Sequence, residues 1–240
     1  MTVKISVVTI SYNAENEIEK TIISVIHQNY NNIEYIIVDG ASSDNTLKIA
    51  NRYKGKITTI ISERDSGIYN AMNKSLRYCS GDWVIFMNAG DCFANDDVLL
   101  SIFSQNYSDN IGVLYGYTLT RNGRMKLKPF VCKRFNSLQM GFCHQSSLVR
   151  RDLLELYKFD EKYMLAADYN LMYRLWKDGY LFHNTQTDIA LFDTSGVSSV
   201  KQFDLLDEIS SFTGLKNSPI YYLFKIKLCL KKLINIRYPQ

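Results

Sequence analysis

The chain reads as an α/β protein, with a mostly parallel sheet flanked by helices and a helical C-terminal extension. Three observations support this. Short runs rich in β-branched residues alternate with segments of helical apolar spacing, the pattern of βαβ units. The first four runs give way to polar or acidic residues: Ser11-Tyr12-Asn13, Asp39-Gly40, Ser62-Glu63-Arg64-Asp65 and Asn88-Ala89-Gly90-Asp91. The final segment is basic, with Lys216, Lys225, Lys227, Lys231, Lys232 and Arg237 and no acid after Lys216.

In order, residues 4–10 are a buried strand. Residues 15–28 form a helix whose apolar face is Ile18, Ile22, Val25 and Ile26. A second strand spans 33–38. A helix over 43–53 follows, with Ser42 or Ser43 as its cap and Asp44 near its start. Residues 57–61 are the third strand, 68–79 a helix with Ile68, Met72, Leu76 and Cys79 on one side, and 83–87 the fourth strand. Then come a helix over 96–103 and a strand over 112–120. Asn122-Gly123 sets a hairpin turn at 121–124, with a returning strand at 127–131. Another strand covers 145–149, and a helix spans 168–177, ended by Gly179. A strand lies within 180–192, and helices cover 202–213 and 219–236.

The length of 240 residues suits one domain of 1–200 with an extension of 201–240. With 46% hydrophobic and 22% charged residues, the composition is ordinary for a soluble globular protein. A net charge of +4 does not imply nucleic acid, and no nucleic-acid partner is expected. The five cysteines are scattered without a Cys-x-x-Cys pair, so neither zinc nor a disulfide framework is indicated. Reduced thiols fit a cytoplasmic setting. The N-terminal apolar run breaks too early for a signal peptide, and no apolar span of about 18 residues exists.

Ligands of open α/β sheets bind beyond the carboxyl ends of the strands, where four groups of residues gather. Thr9, Ser11 and Asn13 follow strand one, and Asp39 ends strand two. A carboxylate at that position can accept from a ribose or base edge; the same residues also suit a turn and a helix cap. Arg64, Asp65 and Gly67 precede a helix that carries Lys74. Asp65 can read a base or ribose and the cations can neutralise phosphate, or Asp65 is an N-cap and Lys74 a solvated residue. Asn88, Ala89 and Asp91 follow strand four. Asp91 suits a hard divalent cation, and His144 can add a ligand, contact a diphosphate or be a core histidine. Asp168 opens a helix, where the dipole favours its charged form; it can be a general base or a plain cap.

Together these motifs resemble the family 2 glycosyltransferases of the GT-A fold, a Rossmann-like architecture. The carrying residues are 7–13, 36–44, 65–74, 86–91, Cys143-His144-Gln145 and Ala167-Asp168, over about 3–195. The resemblance is to the bacterial subgroup that builds surface or exopolysaccharide units, including colanic-acid-type transferases. It implies a nucleotide-binding half at about 1–92 and an acceptor half at about 93–200. It implies a nucleotide-diphospho-sugar donor, with Thr9, Asp39 and Asp65 on the nucleoside. It implies Mn²⁺ or Mg²⁺ at the Asn88–Asp91 motif, a base at Asp168, and inversion at the anomeric carbon. The chain departs from the family's pattern at Asn88 and Gly90, which stand where acids are usual, and at Ala167, which precedes the base.

The basic tail mixes lysines with Ile220, Tyr222, Leu223, Phe224, Ile226 and Leu230. It can lie on an anionic membrane, at the inner face, and meet a saccharide or lipid-linked saccharide acceptor, or it can pack on the domain. Two rivals carry weight: a degenerate sugar-nucleotide-binding scaffold, and a sugar-phosphate nucleotidyltransferase, which would need a glycine-rich basic loop that residues 11–17 lack. A dinucleotide oxidoreductase is disfavoured because no Gly-x-Gly-x-x-Gly follows strand one.

Overall fold

A computed structural model describes residues 2–120, 123–125, 141–192 and 201–237, with side chains through 230. The chain begins as expected: β1 (Ile5–Ser11), α1 (Ile18–Ile26), β2 (Ile33–Asp39), α2 (Thr46–Arg52), β3 (Thr59–Ser62), α3 (Ile68–Ser75) and β4 (Trp83–Phe86). It continues through β5 (Cys92–Phe93), α4 (Val98–Ile102), β6 (Ile111–Thr120), β7 (Gly123–Arg124), β8 (Ser147–Arg150), α5 (Arg151–Tyr157), α6 (Ala167–Lys177) and β9 (Leu181–Leu191). Two helices close it, α7 (Gln202–Thr213) and α8 (Pro219–Arg237).

The early strands are continuously apolar because both faces of the sheet are covered. Successive side chains point to opposite faces. Val8, Ile10, Ile36, Val38 and Phe86 pack with residues of α3, α5, α6 and α7. Ile5, Val7, Tyr35, Ile37 and Ile85 pack with residues of α1, α2 and α4.

Among the described residues the sheet runs β3-β2-β1-β4-β8-β6-β9-β5, with β7 on β6. β1 is parallel to β2 and β4, and β2 to β3. β8 is antiparallel to both β4 and β6, and β9 is parallel to β6. So β6 and β9 share the direction of the first four strands, and the mostly parallel reading holds. In register, Ser11 faces Asp39 and Asp39 faces Ser62, which lines up three polar side chains at one edge. The antiparallel β8 has a second effect: it starts where β4 ends, Leu148 opposite Ile85. The preceding turn (His144–Ser146) therefore sits beside Asn88.

Several boundaries differ from expectation. α2 starts at Thr46 because Asp44 accepts the Thr46 N–H at 2.9 Å. Ser42 and Ser43 are engaged elsewhere, with Asp39 and Asn13. α5 was not expected; it offers only Leu153 and Leu154 as a buried pair, too short for a periodic signal. The 121–124 hairpin is consistent with Thr120 pairing Gly123, while the expected strand at 127–131 lies outside the described residues. The extension does not stand apart. Leu206, Ile209 and Tyr221 belong to the core beneath α6. Phe212 sits among the rings of Tyr163, Tyr169 and Tyr173, with centroids 5.2, 5.6 and 5.6 Å away. Among the described residues, no helix is long and apolar enough to cross a membrane.

Candidate active site

Asp168 lies in the first turn of α6, and 15% of its side chain is exposed, enough for a hydroxyl to reach it. Its Oδ2 is 3.1 Å from His144 Nδ1. Its Oδ1 accepts from the Tyr69 hydroxyl at 3.1 Å and from the Tyr169 N–H at 2.8 Å. Burial works against its charge. The hydrogen bond and charge of His144, with the two other donors, outweigh that and hold the carboxyl below its usual range. Burial and the charge of Asp168 push the Tyr69 hydroxyl well above its usual range, so it remains a donor.

The other ring nitrogen of His144 faces Asn88 Nδ2 at 3.3 Å. Which of these two atoms donates depends on the protonation of the imidazole. Asn88 Oδ1 is buried and has no protein partner. Both nitrogens of His144 are thus engaged, one by Asp168 and one by Asn88. Asn88 links the end of β4 to the His144–Asp168 pair.

The first three strand ends form a crevice. Asp39 is fully buried and accepts from Ser11 Oγ, Ser62 Oγ, and both the N–H and Oγ of Ser42. That is about the four bonds a carboxylate takes, so Asp39 braces the crevice floor rather than offering free lone pairs. Thr9 is also fully buried, and its hydroxyl bonds the Met87 carbonyl at 2.8 Å and the Tyr35 hydroxyl at 3.0 Å. The expectation that Thr9 touches a nucleoside is therefore corrected: its side chain points into the α1 layer. Ser11 is buried too, bonded to Asp39. Asn13, at φ 46°, accepts from the Ser43 N–H at 2.9 Å and ties the loop after β1 to that after β2.

Asp65 does face the crevice. Its Oδ1 accepts from the Gly67 N–H at 2.9 Å, and Gly67 adopts φ 136° to enter α3. Its Oδ2 lies only 2.6 Å from where a Cβ on Gly40 would stand, and the Tyr12 ring is 3.2 Å from the same point. Gly40 lets the two converge. Tyr12, 67% exposed, is an open aromatic face that the spacing alone did not single out. Arg64 is exposed. Lys74 donates to the Arg64 carbonyl at 2.6 Å and pairs with Glu63 at 3.1 Å, so it holds this loop.

The Ala89 N–H continues the β1 pairing, to Ile10 O at 3.0 Å. Thr21 of α1 accepts the Gly90 N–H and donates to the Asp91 carbonyl, at 3.0 and 2.7 Å. A Cβ on Gly90 would stand 2.6 Å from Glu17 Oε2. A second carboxylate thus occupies the space of the missing acid, a placement that only the packing of α1 reveals. Among the described residues no three His, Cys, Asp or Glu side chains form a metal cage. Asp91 itself is buried, 5% exposed.

Fold and site together define the class: a GT-A glycosyltransferase. The sequence profile of glycosyl transferase family 2 matches residues 6–174, and the chain belongs to that family. It is 29% identical over 180 residues to the UDP-Glc:alpha-D-GlcNAc-diphosphoundecaprenol beta-1,3-glucosyltransferase WfgD of Escherichia coli, covering 72% of this chain and 70% of the relative. It is 26% identical over 225 residues to a PGL/p-HBAD biosynthesis glycosyltransferase of Mycobacterium tuberculosis, covering 89% and 79%. Among solved structures, S. aureus TarS 1-349 in complex with UDP has a TM-score of 0.67 at 20% identity; the match covers 88% of this chain and 65% of TarS 1-349. The mannosyltransferase PcManGT of Pyrobaculum calidifontis, with GDP-Man and Mn²⁺, has a TM-score of 0.65 at 15% identity, covering 100% and 82%.

Proposed function

We propose that the chain is an inverting, metal-assisted hexosyltransferase that moves a sugar from a nucleotide-diphospho-sugar to a saccharide acceptor in bacterial surface polysaccharide synthesis. The observation that carries this is Asp168, held ionised by His144, Tyr69 and a backbone N–H at the start of α6. Asp168 takes the proton of an acceptor hydroxyl, and the freed oxygen attacks the anomeric carbon as the bond to the diphosphate breaks on the opposite face. His144 and Tyr69 aim the carboxylate, and Asn88 aims His144.

The nucleoside rests against Tyr12 and is read by Asp65, over a floor braced by Asp39. Arg64 meets the phosphates. Asp91 and Glu17 would hold Mg²⁺ or Mn²⁺, which offsets charge on the departing diphosphate. UDP and GDP donors both have support, since the names of similar proteins specify UDP-Glc, UDP and GDP-Man. A lipid-linked acceptor has the support of the diphosphoundecaprenol named for WfgD. The exposed Leu223, Ile226 and Leu230 on α8, beside lysines, suit work at the inner face of a cell membrane.

The test is a thermal-shift screen with UDP-, GDP- and dTDP-sugars, with and without Mn²⁺ or Mg²⁺, on wild type and Asp168→Asn. One nucleotide class should stabilise both proteins, more so with metal, while Asp168→Asn turns over at least about 10²-fold more slowly. Stabilisation by no donor, or equal turnover in the variant, would overturn the reading.

A further inference from the structure

The turn that leads into α6 is held from outside the region that defines the family. The N-cap of α6, Ala166, has no side-chain acceptor to offer. Three consecutive backbone donors at this entry need partners, as helix starts do. Glu208 of α7 supplies them: Oε1 accepts the Met164 N–H at 3.0 Å, and Oε2 accepts those of Leu165 and Ala166 at 2.9 and 3.0 Å. A carboxylate in such a concave row of N–H groups forms short, charge-assisted bonds. The other end of the same loop is fixed by α3. Asn73 bonds both the N–H and the carbonyl of Phe159 at 2.9 Å, and Glu161 accepts from Asn70 and Asn73 at 2.9 and 2.8 Å. Asp168 follows two residues after the last Glu208 contact. The family profile ends at residue 174, so Glu208 lies beyond the part of the chain that it matches.

We propose that Glu208 is a positioning residue for Asp168: a carboxylate, borrowed from α7, that caps the start of α6 and fixes the base. This rests on the reading of Asp168 as the base, and the experiment separates the two. Full-length wild type, Glu208→Ala, Glu208→Gln, Asp168→Asn and the Asp168→Asn/Glu208→Ala double variant are compared. UDP release from UDP-glucose with Mn²⁺ serves as the catalytic probe, and amide hydrogen exchange over residues 163–170 as the structural one.

In Glu208→Ala the exchange of the Met164, Leu165 and Ala166 amides should rise. The kcat should fall on the order of 10²-fold, as for a misplaced catalytic group, with the KM for UDP-glucose unchanged. Glu208→Gln, which keeps the chain length and one oxygen, should fall between. The double variant should be no slower than Asp168→Asn alone, because Glu208 acts only through that base. Wild-type exchange in the Glu208 variants, or a double variant slower by the full single-variant factor, would overturn the proposal. If Glu208→Ala does not fold, Glu208→Gln carries the same comparison. No UDP release from wild type would count against the donor assignment alone, and the exchange result would then decide the role of Glu208.

Discussion

Individual side chains at this site were partly legible in the sequence. Asp168, Asn88 and Asp65 stood out because each follows an apolar strand or opens a helix, and His144 because of its ligand chemistry just before a strand. Their partners did not. Tyr69 meets Asp168 across 99 positions, and no local pattern carries such a contact. Thr9 was misplaced for a simpler reason. It shares the parity of Ile5 and Val7, so strand alternation sends its side chain to the α1 face rather than to the crevice. Gly40 gives the sharpest prediction at this scale. Gly40→Ala would put a Cβ 2.6 Å from the Asp65 carboxylate and 3.2 Å from the Tyr12 ring. Both flexible side chains would have to yield. Calorimetric titration should show nucleotide-sugar binding at least about tenfold weaker, roughly 1.4 kcal/mol. Unaltered affinity would remove Tyr12 and Asp65 from the nucleoside site.

At the scale of elements, the succession of strands and helices and the helix faces were legible because hydrophobic period tracks burial. The lengths were less so, since caps such as Asp44 act from one residue farther along. A buried acid at the opposite edge of the sheet was overlooked for a related reason: it sits inside an apolar strand. Glu34 begins β2 and bonds Lys4 Nζ at 2.7 Å, Ser80 Oγ at 2.6 Å and the Gly81 N–H at 2.8 Å, with further bonds from Ser6 and the Ser80 N–H. It stitches β1 and β2 to the turn before β4. Burial opposes its ionisation, but the bonds from Lys4, Ser6 and Ser80 prevail and bring its pKa down to about 2. A depressed carboxyl contributes stability that is complete above its unfolded value near 4.5 and is lost as pH falls through about 2. Urea denaturation should find Glu34→Gln less stable by about 3 kcal/mol at pH 7, with the gap closing as the pH falls to 3 and below. A gap that stays constant with pH would mean that ionisation is not what holds these strands.

For the molecule as a whole, composition was a poor guide to where one unit ends. The sequence left the basic tail either on a membrane or packed on the domain; the helix before it, α7, supplies core residues, and α8 packs on α7 through the Tyr221 hydroxyl and Asp207, at 2.5 Å. Among the described residues α8 exposes Leu223 (64%), Ile226 (56%) and Leu230 (55%) beside Lys227. Apolar residues exposed together call for a covering surface. Sedimentation with phosphatidylglycerol vesicles should capture the wild type, less so at high salt, and leave Leu223→Glu/Ile226→Glu in the supernatant. Wild type that stays in the supernatant at low salt would exclude α8 as a membrane contact.

The ring of Phe212 and the carboxylate of Glu208 have a consequence for how such a chain can change over time. If Glu208 aims Asp168 as proposed, the stretch that the family profile matches should not work when grafted as a self-sufficient cassette. Joined to a foreign tail, it would keep every reactive side chain and lose the brace that aims the decisive one. On that reading, a chimera should cut beyond Glu208 or bring a matching brace with the new tail.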